Sequence, residues 1–385
     1  LSFTDALSEC VSGVTTTGLS MLPTVEGIPN SLLFARAWMQ WYGGLGFIAL
    51  ALGMLSPPSI AARRLSTAET DKDQLVGNIR LHSRRVLGLY IAMTVLGVVV
   101  AGVLSGKPFA ALTHILASVS TGGFSTYDAS LAGLGGWPTR VAVLAVCFLG
   151  AVSFTMHYRL YTERSLAVFR DPDIRWLFIL SLLGGLCILA CMAVLTEATW
   201  FDAAGDAFAL SFSAQTTTGF STTSVANLPA AAKLVVMAQM FVGGDMGSSA
   251  GGVKLIRFFV LLQLLRFFFQ RSSTPPHAVV HVRVHGRRLD ADQGLQAMLI
   301  VALFTLTVMV SWAPFVALGY DPVDSLFDVV SATGTVGLST GITSASLPPL
   351  LKGILGIDML LGRVEMLALL MCVFPPTWFG KRGGA

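Results

Sequence analysis

Charged side chains are scarce in this sequence of 385 residues, of which only 12% are Asp, Glu, Lys or Arg. Soluble domains carry roughly 25%, whereas here 54% of residues are hydrophobic and the mean hydropathy is +0.72. The deficit excludes an ordinary soluble core and predicts an all-α polytopic membrane protein. Apolar segments close to the ~20 residues that one crossing needs cover 31–55, 86–104, 140–157, 176–195 and 295–318.

The sequence also lacks the residue spacings of an enzyme or a metal centre. Its five cysteines lie mostly in apolar runs and show no zinc spacing. An intramembrane hydrolase would need a nucleophile and base, or metal ligands, at membrane depth, and an ion-coupled solute carrier would need more intramembrane carboxylates. We keep both as minor alternatives. We expect no enzyme, no cofactor bound by this chain and no nucleic-acid partner.

A signal peptide is missing as well, and the chain opens at Leu1 rather than at Met. We therefore expect a truncated or processed N-terminus. Basic residues collect around 63–85, 159–175 and 254–288, and basic loops face the cytoplasm. The acidic loops between them then lie outside, which predicts a multi-pass protein of the plasma (inner) membrane.

One motif occurs four times: small or hydroxyl residues, then Gly, then Leu or Phe, then Ser. The copies are 14–20, 119–125, 215–221 and 333–339. An aspartate lies thirteen residues before the glycine in three copies, as Asp5, Asp206 and Asp324, whereas the second copy has Ala110. We interpret each Asp as the N-cap of a half-helix that descends from the outer surface towards the glycine.

Each copy belongs to a repeated unit of span, half-helix, glycine loop and span, which is typical of pseudosymmetric membrane proteins. We predict four such units around one central pore, with the first unit lacking its leading span. The predicted boundaries are 1–60 for repeat 1, 81–160 for repeat 2, 174–271 for repeat 3, 272–289 for a cytoplasmic hairpin loop and 290–385 for repeat 4. A base begins each second span, and we interpret all four as side chains that extend to the membrane surface. They are Arg36, Arg140, Lys233 and Lys352.

The four glycine loops have the chemistry of a cation filter. Irregular backbone is tolerated at membrane depth only where it is buried in protein or lines a water-filled cavity, and glycine lets carbonyl groups turn inward. Rings of such carbonyls replace a cation's hydration shell, and the absence of carboxylates favours a large monovalent ion. The candidate ion-binding residues are Thr16, Thr17, Gly18, Thr121, Gly122, Gly123, Thr217, Thr218, Gly219, Thr335, Val336 and Gly337.

A glycine-rich stretch interrupts the last span of repeat 3, where each glycine costs a helix up to ~1 kcal/mol relative to Ala. We interpret it as an irregular loop beneath the filter that gates the pore. A tight helix crossing and a phosphate-binding loop are the alternatives, although the Walker spacing is absent. The candidate gate residues are Gly243, Gly244, Asp245, Gly247, Ser248, Ser249, Gly251, Gly252 and Lys254.

Arg363 lies in the apolar run 354–374, where an arginine is costly and normally faces a lumen or a partner. We predict that it lies below the filter, as a positive barrier or as an anchor for the gate loop. A salt bridge with Asp358 or Glu365 that only locks helices is the alternative.

The loop after repeat 3 alternates like a strand from His281 to His285, which predicts a small hairpin. The spacing of His277, His281 and His285 by four leaves metal binding as a minor alternative. Two prolines and the alternation argue against the helix that this site would need.

As a set, these motifs resemble the Trk/Ktr/HKT superfamily of potassium transporters, and most closely its TrkH type. The matching pieces are the four filters and segments 243–254, 275–288, 361–365 and 375–379, so the resemblance covers essentially the whole chain. It implies gated potassium uptake, with K⁺ in the filter as the only bound metal and Arg363 in the cavity. The filter glycines that it implies are Gly18, Gly123, Gly219 and Gly337.

The resemblance also implies a homodimer in the lipid bilayer, seated on a cytoplasmic ring of nucleotide-binding regulatory subunits (TrkA/KtrA-like). Nucleotide is then expected on that partner only. Plant relatives that prefer sodium can have Ser at the first filter glycine, so Gly18 favours potassium. Two departures leave questions open. Asp245 replaces an expected small neutral residue and could bind a cation or pair with Arg363. The fourth filter reads Thr-Val-Gly-Leu-Ser at 335–339, where TrkH types often show Asn-Leu-Gly-Pro. This difference keeps sodium or mixed cation transport as the alternative.

Overall fold

The computed structural model describes residues 2–55, 71–163, 171–195, 200–273, 283–284, 287–289, 291–364 and 366. Thirteen α-helices dominate this part of the chain, and the predicted all-α membrane architecture is confirmed. Outside the helices, the described residues include one small ladder, in which β1 (Arg283–Val284) pairs antiparallel with β2 (Arg287–Arg288). It lies within the predicted hairpin loop, whereas His277, His281 and His285 lie outside the described residues.

The helices follow the order of the predicted repeats. Repeat 1 contains α1 (Phe3–Val14) and α2 (Asn30–Leu55). Repeat 2 contains α3 (Asp71–Ser105), α4 (Pro108–Val119), α5 (Trp137–Ala151) and α6 (Phe154–Glu163). Repeat 3 contains α7 (Pro172–Leu195), α8 (Trp200–Gln215), α9 (Ala230–Val242) and α10 (Leu255–Ser272). Repeat 4 contains α11 (Ala291–Ala317), α12 (Pro322–Thr333) and α13 (Pro349–Arg363).

Three helices in the described ranges are long and apolar enough to cross a membrane: Arg84–Ser105, Pro172–Leu195 and Asp292–Ala317. Helices α5 and α6 are bent by 96° at a break after Ala151. They give a fourth candidate crossing only if the bent pair counts as one span. The apolar segment 140–157, which we expected to span, is therefore divided between two helices. Val152 is extended there, and the amide groups of the next two residues bond to another repeat.

The four half-helices are α1, α4, α8 and α12, and each ends at a filter segment. Their aspartates are not the N-caps that we predicted. Ser2 caps α1 and forms a capping box with Asp5, and Asp321 caps α12 three residues before Asp324. Asp206 lies inside α8. Asp5 and Asp324 still lie in the first turn, where a negative charge stabilises a helix.

The bases that begin the second spans are mostly buried in ion pairs rather than extended to the membrane surface. Lys352 of repeat 4 contacts Asp5 of repeat 1 at 2.5 Å, and Lys233 of repeat 3 contacts Asp324 of repeat 4 at 2.6 Å. The prediction that these bases extend to the surface is therefore wrong for both lysines. Their contacts join neighbouring repeats around the pore.

The two remaining bases have hydrogen-bond and ion-pair partners in their own repeats. Arg36 is 4% exposed, and its Nε lies 3.2 Å from Glu9 Oε2. Arg140 is half-buried, donates to the carbonyl oxygens of Gly135 and Ala132, and lies over the ring of Trp137. A buried arginine needs such a partner because an unpaired charge is costly away from water.

Candidate functional site

The four filter segments share one uncommon backbone conformation. The threonine two residues before each filter glycine has a positive φ, and so does the glycine itself. The φ values are 53° and 96° for Thr16 and Gly18, 52° and 79° for Thr121 and Gly123, 53° and 84° for Thr217 and Gly219, and 50° and 91° for Thr335 and Gly337. A left-handed conformation costs a residue with a Cβ roughly 1–2 kcal/mol. Such strain persists only where the surroundings hold it, which is common at functional sites.

The half-helices hold the backbone amides of these segments. The bonds run from Thr17 N to Ser12 O (2.9 Å), Gly122 N to Ala117 O (2.7 Å), Thr218 N to Ser213 O (2.9 Å) and Val336 N to Ser331 O (2.8 Å). The hydroxyls of Ser12 and Ser331 also accept from the amides of Gly18 and Gly337, both at 3.0 Å. Since these donors are occupied, the segments present acceptors rather than donors to a ligand.

The filter glycines pack in a closed ring. A Cβ on Gly18 would overlap the carbonyl oxygen of Gly122, in repeat 2. The remaining overlaps are Gly123 with Thr218 O, Gly219 with Val336 O and Gly337 with Thr17 O. Each repeat therefore presses against the next in the order 1, 2, 3, 4, and the last contact returns to repeat 1. We call the carbonyls of Thr17, Gly122, Thr218 and Val336 the carbonyl ring.

One outer cavity of about 650 Å³ opens onto this ring and is lined by all four filter glycines. On the inner side of the ring, the threonine hydroxyls differ between repeats. Among the described side chains, those of Thr16 and Thr335 are buried without a hydrogen-bond partner. Thr121 donates to Ser120 O, and Thr217 accepts from Gly251 N. Buried hydroxyls without partners are costly, and a dehydrated cation is a suitable partner for them.

Sequence reasoning missed a set of anchors nine residues before the filter glycines. Glu9 accepts from Ser20 Oγ (2.6 Å) and Met21 N (2.5 Å), and His114 Nε2 lies 2.9 Å from Ser125 Oγ.

In repeat 4 the anchor is Asp328, which accepts from Ser339 Oγ (2.8 Å), Thr340 N (2.8 Å) and Thr343 N (2.9 Å). Repeat 3 has the buried Leu210 at this position, and its Ser221 amide instead bonds to Ser130 Oγ of repeat 2 at 3.2 Å. The constant spacing was visible in the sequence, but the four residue types differ.

The predicted gate residues form an irregular segment between α9 and α10, on the inner side of the filter. Gly251 N donates to Thr217 Oγ1 (2.7 Å), Gly252 N donates to Gly334 O (3.1 Å), and Ser249 Oγ donates to Val119 O (2.9 Å). The segment therefore contacts the inner ends of filter segments 2, 3 and 4.

Internal contacts fix the shape of this segment, 243–254, which we call the gate loop after its predicted role. Gly243, Gly247 and Gly252 have positive φ, and a Cβ on Gly244 would collide with that of Ala250. Ser248 Oγ bonds to Asp245 O, and Lys254 Nζ bonds to Ala250 O. The predicted break in the span is thus present, and most of its backbone amides bond within the protein, as membrane depth favours.

Asp245 lies against the bend between α5 and α6. Its Oδ2 accepts from Ser153 N (3.1 Å), and its own amide donates to Ala151 O (3.0 Å). Phe154 N donates to Gly247 O at 3.1 Å. The carboxylate thus holds an amide at the start of α6, and this contact explains an acidic residue in the gate loop.

Arg363 ends α13 and is 4% exposed. Its Nη1 donates to Ser249 O across 2.6 Å, which places the guanidinium on the gate loop. Of the two predicted alternative partners, Asp358 accepts from Ser311 Oγ at 2.7 Å, and Glu365 lies outside the described residues. The described residues contain no cluster of three metal-binding side chains.

Comparison with known proteins agrees with this architecture. A family model described as "TrkH: Cation transport protein" matches residues 1–375. An uncharacterized cation transporter of Methanocaldococcus jannaschii is 31% identical over 384 residues, covering 98% of this chain and 77% of that protein. The Trk system potassium uptake protein TrkH of Salmonella typhimurium is also 31% identical, over 392 residues, with 98% and 80% covered.

A solved structure shows the same fold. The crystal structure of the potassium transporter TrkH from Vibrio parahaemolyticus matches with a TM-score of 0.86 and 25% identity, covering 98% of this chain and 80% of that one. The apolar helices and the family match make this a transmembrane transport protein. The chain belongs to the TrkH family of cation transport proteins.

Proposed function

We propose that this protein takes up potassium ions through the carbonyl ring, and that the gate loop closes the path beneath it. The closed packing of four filter glycines on four carbonyls carries the proposal. Such a ring offers a dehydrated cation several oxygen ligands at once. The buried hydroxyls of Thr16 and Thr335 extend the set of oxygens towards the inside.

The electrostatics favour a monovalent ion. The filter segments contain no carboxylate, and the half-helices α1, α4, α8 and α12 end at the ring, so that their negative ends favour a cation. Potassium is the ion named for the relatives from Salmonella and Vibrio. Gly18, rather than serine, at the first filter position also favours potassium.

The bonds of the gate loop support a role in closing the path. The loop bonds to the inner ends of three filter segments and to Arg363. A cation leaving the filter inward meets this loop and a positive guanidinium. Opening therefore requires the loop to give up these bonds.

The same proposal includes the membrane, the oligomeric state and the partner subunits of the protein. We place it in the plasma (inner) membrane as a homodimer on a cytoplasmic ring of nucleotide-binding regulatory subunits, and nucleotide binds that partner only. The support is the family membership and the relatives' name as members of a Trk system.

Uptake of rubidium against sodium by reconstituted proteoliposomes tests the function. We expect rubidium, a substitute for potassium, to be taken up in preference to sodium, and Gly18→Ser to weaken that preference. Equal uptake of both ions by the unsubstituted protein would establish the mixed-cation alternative. A preference that survives Gly18→Ser would contradict the filter assignment.

A further inference from the structure

The second filter segment lacks a side chain that the other three possess. The residue immediately before the filter glycine is Thr17, Thr218 or Val336 in repeats 1, 3 and 4, but Gly122 in repeat 2. All four of these residues contribute carbonyls to the ring. A glycine there leaves a gap behind the segment and a backbone with more freedom to move.

Gln40 of α2 fills this gap. A Cβ on Gly122 would lie 2.5 Å from Gln40 Cδ, 2.6 Å from Oε1 and 2.8 Å from Nε2. Gln40 is fully buried, and it belongs to repeat 1. The side chain of one repeat therefore occupies the space that a side chain of the next repeat would need.

The amide of Gln40 also bonds to the filter backbone on both sides of Gly123. Its Nε2 donates to Gly122 O at 2.5 Å, and its Oε1 accepts from Phe124 N at 3.1 Å. A neighbouring β-strand makes the same pair of contacts to the carbonyl before a residue and the amide after it. One of the bonded groups, Gly122 O, belongs to the carbonyl ring.

A second residue on the same face of α2 supports this contact. Arg36 lies one turn before Gln40, with its guanidinium carbon 4.0 Å from the centroid of the Phe124 ring. Its Nη2 donates to Ser20 Oγ at 3.1 Å, in the first filter segment. Helix α2 thus connects filter segments 1 and 2 through two side chains.

We propose that Gln40 is a positioning residue for ion selectivity, which fixes the carbonyl of Gly122 within the ring. This inference rests on the proposed potassium path. The carbonyl must keep its place for the ring to distinguish potassium from a smaller ion, and Gln40 replaces the missing side chain and supplies the backbone bonds that hold it. Loss of the Gln40 amide removes this restraint from the Gly122 carbonyl, one of the four in the ring.

Gln40→Leu tests the proposal in the reconstituted protein, with Gln239→Leu as the matched control. Gln239 is also a buried glutamine, but its Nε2 donates to Ser211 Oγ at 2.7 Å and to Leu180 O at 3.3 Å, and neither partner belongs to a filter segment. Gln40→Leu removes both hydrogen bonds of Gln40 to the filter backbone. We therefore expect it to lower the rubidium-to-sodium uptake ratio by at least roughly fivefold, the factor for one typical hydrogen bond. Gln239→Leu keeps the ratio, even if it lowers the unfolding temperature.

Gln40→Glu separates the bonds from the packing. Glutamate keeps the size of the side chain and the acceptor for Phe124 N. It places a carboxylate oxygen against Gly122 O, where Gln40 has its donor. We therefore expect a reduced rubidium-to-sodium uptake ratio in this variant too. An unchanged ratio in Gln40→Leu or Gln40→Glu, with flux retained, would overturn the inference and leave the proposed function standing. An unsubstituted protein that takes up no rubidium would instead overturn the proposed function.

Discussion

Arg363 Nη1 donates a hydrogen bond to the carbonyl oxygen of Ser249 across 2.6 Å, and this contact joins the end of α13 to the gate loop. The hydroxyl of Ser249 in turn donates to Val119 O at 2.9 Å and Gly150 O at 2.8 Å. One residue of repeat 3 is therefore held by repeats 2 and 4 together. In the gating that we propose, opening must break bonds to two neighbouring repeats.

The bond from Arg363 predicts that Arg363→Gln raises resting rubidium uptake. The substitution removes a positive charge from the inner side of the filter and weakens a bond of the charged class. Such bonds contribute about 1.5–3 kcal/mol, so we expect an increase of roughly tenfold or more. Arg363→Lys keeps the charge but loses the planar donor geometry, and it should raise uptake by a smaller factor.

Arg140→Gln serves as the control for this prediction. Arg140 also donates to backbone carbonyls, those of Gly135 and Ala132, but not to the gate loop. Its loss should leave resting uptake unchanged. If Arg363→Gln has no higher uptake than this control, the guanidinium neither anchors the gate nor repels the ion.

The contact between Asp245 and Ser153 predicts that Asp245→Ala loosens the gate loop. Alanine leaves the Ser153 amide without its acceptor at the start of α6, and loss of a helix-capping acceptor costs about 0.5–2 kcal/mol. We expect resting uptake to rise several-fold in flux assays. Asp245→Asn keeps an acceptor oxygen and should remain close to the unsubstituted protein. An equally large increase in both variants would show that the charge, which both variants lose, matters and the bond does not.

Gly337 and Gly341 form a matched pair for testing the ring. Both have positive φ, 91° and 99°, so an alanine at either position is strained. A Cβ on Gly337 would overlap Thr17 O, whereas one on Gly341 meets nothing within 4 Å. We expect Gly337→Ala to abolish selective rubidium uptake and Gly341→Ala to cost only the backbone strain, roughly 1–2 kcal/mol. Equal uptake defects in both variants would contradict the ring.

The buried pair of Arg36 and Glu9 predicts a loss of stability in Arg36→Met. Removing one partner of a buried ion pair costs about 3–5 kcal/mol, because the other charge is left uncompensated. Thermal unfolding in detergent should show a clearly lowered midpoint. Lys107→Met provides the comparison, since Lys107 is exposed and donates to Gly133 O. Similar midpoints for the two variants would mean that water reaches Glu9.

Much of the backbone geometry of the four glycine segments and of segment 243–254 could be predicted from the sequence, because their signals are local. At a position that needs a positive φ, such as Gly18, glycine is the residue that fits without strain. The glycine therefore marks this position in the sequence. The glycine-rich stretch around Gly247 is equally incompatible with a helix interior. Repetition made these local signals decisive, since four copies at similar spacing require a common structural reason.

The features that the sequence did not reveal depend on contacts between distant residues. At the bend after Ala151, the Ser153 amide bonds to Asp245, which lies 92 residues later in the chain. The pairing of Lys352 with Asp5 joins opposite ends of the described chain. The sequence shows Asp5 and Asp324 at a fixed spacing before a filter glycine. Their ion-pair partners, Lys352 and Lys233, became known only from the fold.

The anchors behind the filter have a consequence for experiments on ion conduction. In a channel built from four identical chains, a point mutation alters all four filter segments, and changing a single segment requires covalently linked subunits. Here Glu9, His114, Leu210 and Asp328 occupy equivalent positions within one polypeptide. A single codon change therefore alters one quadrant, so the contribution of each quadrant to permeation can be measured by ordinary mutagenesis.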